Sequence, residues 1–129
     1  MKHKNLQDFL GGYLVCALWS STDNATESGG EPLDDNYDVD DIPPEEKAKA
    51  ESDCKDFVEA NLPALTELTN KPGYGWSSAG HDFWLTRNGH GAGFWDRGFG
   101  KVGDELSAAA KVYSSVDIYV GDDGKLYFQ

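Results

Sequence analysis

The stretch that most limits how this chain folds is 79–98, AGHDFWLTRNGHGAGFWDRG. Its twenty residues hold two histidines, four large aromatic rings, two arginines, two aspartates and five glycines. So dense a mixture of apolar and polar groups needs an element with one buried and one polar side, broken by a turn. The reading is a strand over 83–87, a glycine-rich loop over 88–93 and a second short strand at Phe94 and Trp95. Adjacent strand residues face opposite sides, so one member of each pair, Phe83/Trp84 and Phe94/Trp95, points into the core. Its neighbour points outward, and an outward tryptophan needs cover from another element or a partner.

The flanking sequence reads mainly as helix. Leu6, Phe9, Leu10, Tyr13, Leu14, Ala17 and Leu18 recur at helical spacing on one apolar stripe. Gly11 and Gly12 each weaken that helix by about 1 kcal/mol relative to alanine, unless they admit another element closely. The Ser20-Ser21-Thr22-Asp23 cluster ends it. Pro43-Pro44 followed by Glu45 and Glu46 begin a second helix, continued by Ala50, Cys54, Phe57, Val58 and Asn61. Pro63 breaks it, and Leu62, Leu65 and Leu68 form a further short turn. Val102, Leu106, Ala109, Ala110 and Tyr113 define a third helix. Residues 116–120 alternate as a strand, Gly121-Asp-Asp-Gly124 turns, and 126–128 returns as the partner strand. The expected architecture is one α+β domain over 1–129, in the order ααββαββ. Its helices pack on a small antiparallel sheet, and an acidic loop spans 22–42.

Charge narrows the partners. The 129 residues carry a net charge of −12, which argues against nucleic acid or an anionic membrane as direct partner. Residues 23–56 hold 13 acids against Lys47, Lys49 and Lys55, so the rest of the chain carries only −2. Asp34, Asp35, Asp38, Asp40, Asp41, Glu45 and Glu46 crowd a short span. In extended chain, alternate carboxylates lie about 7 Å apart. That approaches the phosphate spacing along one DNA strand, so the segment could occupy a basic nucleic-acid channel. The alternative is a merely solvated acidic loop.

Candidate chemistry is thinner. Asp34, Asn36, Asp38, Asp40 and Glu45 match calcium-loop positions 1, 3, 5, 7 and 12, but Val39 stands where glycine must make the sharp turn. His81, Asp82, His90 and Asp96 are metal-ligating types without a recognised metal spacing; the competing reading has both aspartates closing turns by local hydrogen bonds. Ser77, Ser78 and Thr86 lack a nucleophile elbow, and neither cysteine neighbours a histidine in sequence. His90-Gly91-Ala92-Gly93 could offer amides to an anion, yet no Walker-type lysine accompanies it. Arg87 and Arg97 are expected to pair at the surface with Asp82, Asp96 or the acidic loop, contributing at most about 1 kcal/mol. Cys16 and Cys54 read as core thiols of a reducing cytosol. Lys2 and Lys4 before 13–19 imitate a signal peptide, but the apolar run is short and Asp8 interrupts its flank. No cofactor is called for, and the expected location is the cytoplasm.

Together with FLGGYLVCALWSSTD, PLDDNY, DCKDF and the terminal YVGDDGKLY, the 79–98 block resembles a family of small acidic proteins of bacteriophages and bacterial mobile elements. The resemblance implies a phage or mobile-element setting and carries over no catalytic residue. The functional expectation is a non-enzymatic protein that binds and modulates a nucleic-acid-handling host or phage protein with a basic surface. DNA mimicry, as in anti-restriction or anti-CRISPR inhibitors, is its sharpest form. The expected contact set is Asp34, Asp35, Asp38, Asp40, Asp41, Glu45, Glu46, Arg87, Asn88, His90, Trp95 and Arg97. The alternatives are a small metal-dependent enzyme using His81, Asp82, His90 and Asp96, and a structural virion component or homo-oligomer.

Overall fold

The computed structural model describes residues 2–23, 30–90 and 92–129. At its centre two helices, α1 (His3–Ser20) and a later one over Trp76–Arg87, lie against each other. Gly12 and Gly80 set how close they come. A Cβ on Gly12 would stand 1.9 Å from the Ser77 carbonyl oxygen, and one on Gly80 would stand 1.8 Å from that of Phe9. The backbones therefore touch directly, as only glycine permits. The close approach anticipated for the Gly11-Gly12 pair belongs to Gly12 alone, since nothing lies within 4 Å of a Cβ on Gly11.

This contact corrects the reading of 83–87. The segment is helix, and the strand expected at Phe94 and Trp95 is a 3₁₀ turn, Phe94–Asp96. Residues 79, 80 and 82–87 are all buried, so the C-terminal half of the helix is enclosed nearly all round, while Ser77, Ser78 and His81 nearer its start keep some exposure. Phe83 and Trp84 are consequently both interior. The Phe94/Trp95 pair does divide: Phe94 is buried while Trp95 is 48% exposed.

Numbered in chain order the later helix is α4, and around the pair pack α2 (Pro44–Ala60), α3 (Leu62–Thr69) and α5 (Lys101–Lys111). Pro63 falls in the first turn of α3, where its missing N–H leaves no helical bond unmade. Phe57 of α2 stacks on Phe83 of α4 with ring centroids 4.2 Å apart, and Phe9 and Phe94 join the same cluster. Cys16 and Cys54 are buried free thiols. Burial pushes the Cys16 thiol up to about 12, so it packs as an apolar group.

Two antiparallel ribbons complete the chain. One pairs β1 (Thr22–Asp23) with β2 (Glu31–Pro32); the other pairs β3 (Ile118–Val120) with β4 (Leu126–Phe128). The terminal hairpin stands where the alternation placed it. The fold is helix-rich α+β, but the order ααββαββ does not hold, because β1 and β2 precede α2 and the 79–98 block supplies no strand. The helices pack chiefly on one another rather than on a sheet. Among the described residues no helix is long and apolar enough to cross a membrane.

Candidate functional site

The acidic segment is ordered rather than loose. Leu33 and Ile42 are buried beneath it, and between them the chain forms two 3₁₀ turns, Leu33–Asp35 and Val39–Asp41. Asp38 and Asp41 cap each other's backbone: Asp38 Oδ1 accepts from the Asp40 N–H at 2.8 Å, and Asp41 Oδ2 accepts from the Asp38 N–H at 2.9 Å. The anchored turns leave Asp34, Asp35, Asp40 and Glu45 exposed, with no ion pair among the described residues. Between Lys4 and Lys47 the sequence contains no lysine or arginine. The result is an acidic ridge pinned by its two buried apolar ends. Residues 24–29 of the expected loop lie outside the described residues.

Two expectations for this segment change. The 7 Å spacing assumed extended chain, and 3₁₀ turns rise only about 2 Å per residue, so no strand-like ladder of carboxylates forms. Glu46 leaves the contact set because it is buried. Its Oε1 accepts from the Phe128 N–H at 2.9 Å and its Oε2 meets Lys49 Nζ at 2.8 Å. Lys49, together with the Phe128 N–H and against the effect of burial, holds its carboxyl below the usual range.

The 79–98 block divides between interior and surface. Arg87 was expected to pair at the surface and instead is buried. Its Nη1 donates to Asp53 Oδ2 at 2.8 Å and to the Tyr13 hydroxyl at 3.0 Å, while Nε and Nη2 donate to the Ser114 carbonyl. The guanidinium also lies 5.6 Å from the centroids of the Phe83 and Tyr113 rings. It ties α4 to α1, α2 and the segment after α5, and cannot meet a partner. Asp82 is fully buried and closes no local turn. It accepts from the Tyr74 hydroxyl at 2.7 Å and, in two-pronged fashion, from Arg97 at 2.8 and 3.1 Å. Arg97 is thus spoken for, although part of its side chain remains exposed.

The proposed ligands go separate ways. Asp96 accepts the Gly93 N–H at 3.0 Å, the local bond that the turn reading expected of it. The His81 ring lies against Trp19, with centroids 5.6 Å apart. Its Nδ1 is buried without a hydrogen-bond partner among the described residues, and burial lowers its pKa, favouring the neutral ring. Among the described residues no group of three or more His, Cys, Asp or Glu side chains is placed to share a metal. The His90–Gly93 anion reading includes Gly91, which lies outside the described residues.

His90 and Asn88 instead border a cleft of about 750 Å³. Ser20, Ser21 and Thr22 line it together with the continuous run 115–120. Trp84 forms part of its lining, with its indole N–H bound to Ser20 Oγ at 2.8 Å. Asn88 Oδ1 accepts the Val116 N–H at 2.9 Å. No hydrogen bond or ion pair among the described residues joins 88–97 to 33–45.

Sequence reasoning passed over Asp53, Tyr13 and Tyr74 as holders of the buried ions, and over 115–120 as a cleft wall. The available signal was the i, i+4 series Gly80–Trp84 and Phe83–Arg87, which marks α4 as helix. In comparisons with known proteins, no family model matches this chain, and neither does a curated protein or a solved structure.

Proposed function

We propose that this chain is a non-enzymatic recognition protein whose acidic ridge binds a basic surface on a nucleic-acid-handling protein. The observation that carries the reading is the anchored ridge itself. Leu33 and Ile42 fix two turns that hold Asp34, Asp35, Asp40 and Glu45 outward, with no ion pair among the described residues. Carboxylates ordered before binding lose little freedom on meeting a partner, and they release the counterions that DNA would release. The resemblance to phage and mobile-element proteins makes a host nuclease of the restriction or CRISPR type the partner class to test first. On this reading, competition with DNA works through field strength rather than through a copied phosphate ladder.

The test is competition against a short labelled DNA duplex for a panel of basic nucleases and DNA-binding proteins, across a salt series. The protein should displace DNA from at least one of them, less well as salt rises. Changing Asp34, Asp35 and Asp40 to Asn and Glu45 to Gln together should abolish most of that displacement and flatten its salt dependence. Undiminished competition by the fourfold variant would sink the proposal.

A further inference from the structure

The terminal hairpin has two edges, and they differ. Asp117 exchanges both backbone hydrogen bonds with Gln129, at 3.0 and 2.9 Å, and the Gly121 N–H reaches the Lys125 carbonyl at 2.7 Å. In an antiparallel ladder such pairs alternate, so 117, 119 and 121 face β4. The N–H and C=O groups of Ile118 and Val120 therefore point the other way. The outer edge of β4 is closed, because the Phe128 N–H is taken by Glu46. On the outer edge of β3, Asn88 takes the Val116 N–H. No hydrogen bond to the Ile118 or Val120 backbone on that side exists among the described residues.

That free edge is a wall of the 750 Å³ cleft. Residues 115–120 line it without a gap, which a strand does when its edge, rather than one face, borders the space. Ser21 and Thr22, the latter in β1, also line it. The space thus borders residues of both ribbons.

We infer that the free edge of β3 is a docking site for an extended, lysine- or arginine-bearing peptide segment of a partner protein, which adds as a strand beside Ile118 and Val120. Backbone donors and acceptors at strand spacing are matched by another extended backbone, and strand addition is a recurrent mode of peptide capture. The sign of the partner's charge follows from the surroundings. Asp117 lies in the lining, Asp122 follows β3 in the turn, and the whole chain carries −12. The described lining contains no lysine or arginine. This inference concerns the hairpin backbone and stands apart from the acidic ridge.

The test uses the full chain and a blocked hexapeptide alternating valine and lysine, with amide hydrogen exchange read residue by residue by NMR. In the free protein, Ile118 and Val120 should exchange fast while Tyr119 and Gly121 are protected. The peptide should slow Ile118 and Val120 at least about tenfold, and it should do so equally in the fourfold ridge variant. N-methylating the peptide on the residues that face β3 should abolish this effect; N-methylating the alternate residues should not. Val120→Pro removes a donor that the β4 ladder does not use, and should weaken binding about tenfold. The methylated peptides decide the matter on the unaltered protein should that variant not fold. Four results would overturn the inference: Ile118 and Val120 already protected in the free monomer, protection arising from pairing of two copies, peptide-induced changes confined to 33–45, or equal binding of a valine–glutamate peptide.

Discussion

Charge is used in opposite ways in α4 and on the acidic ridge. In α4, Asp82 and Arg87 are both buried, and each is surrounded by groups that complete it: Tyr74 and Arg97 for the first, Asp53, Tyr13 and the Ser114 carbonyl for the second. On the ridge, Asp34, Asp35, Asp40 and Glu45 stand exposed with no ion pair among the described residues. A paired interior charge fixes the direction of every element that reaches it, whereas an unpaired exterior one contributes only repulsion to the fold. The molecule should therefore tolerate neutralisation of its ridge and not of its interior.

The sharpest break of that contrast is Asp82→Ala. It strands the buried Tyr74 hydroxyl and leaves the partly exposed Arg97 unpaired, and losing these hydrogen bonds to a charged group costs about 1.5–3 kcal/mol. Arg87→Met leaves Asp53 and the Ser114 carbonyl unmatched and should fall in the same range. Urea unfolding followed by tryptophan fluorescence measures both. The fourfold ridge variant, unfolded the same way, should stay within about 0.5 kcal/mol of the parent or gain stability. A ridge variant that loses as much as Asp82→Ala would end the division between the two regions.

A comparable effect isolates the packing that lets α4 be buried at all. Gly80→Ala drives a Cβ into the Phe9 carbonyl at 1.8 Å, and backbone on backbone leaves little room to yield. A loss of about 3 kcal/mol, the upper end of ordinary overpacking, is expected. Gly11→Ala, one position from the other close contact, meets nothing within 4 Å and should stabilise α1 by about 0.5–1 kcal/mol. Melting temperatures that move in opposite directions for these two variants would confirm the geometry.

Both cases show where sequence was readable. The stripe from Leu6 to Leu18 is amphipathic, so its period exposed α1, and the Gly121–Gly124 turn between alternating runs exposed the hairpin. Period failed at α4 because its buried run over 82–87 has no polar face to mark it, and Asp82 and Arg87 then passed for surface ions. Their true partners lie far along the chain: Arg87 stands 34 positions after Asp53 and 74 after Tyr13. No spacing rule reaches that far. The charge of the ridge was plain in composition, but its anchoring depends on Leu33 and Ile42, apolar residues in an acidic run that follow no helical or strand period. The free edge of β3 was hidden for a related reason: alternation identifies a strand without telling which edge is covered.

Glu46 tests the boundary between the two regions, since it belongs to the acidic run by sequence and to the interior by position. Its carboxylate holds the Phe128 N–H and Lys49, which place its pKa below the ordinary 4.5. A carboxyl depressed in the folded state stabilises the fold above its unfolded pKa, and that contribution disappears as pH falls through the folded value. Glu46→Gln keeps an oxygen for Phe128 but gives up the charge, so it should cost about 1 kcal/mol at pH 7. Parent and variant should converge in stability as pH drops below 4.5. Asp34→Asn, which touches no structural partner, should leave the pH 7 stability unchanged within error. Chemical denaturation at a few pH values separates these outcomes, and a Glu46→Gln penalty that persists undiminished at low pH would mean that burial and shape, rather than charge, tie α2 to β4.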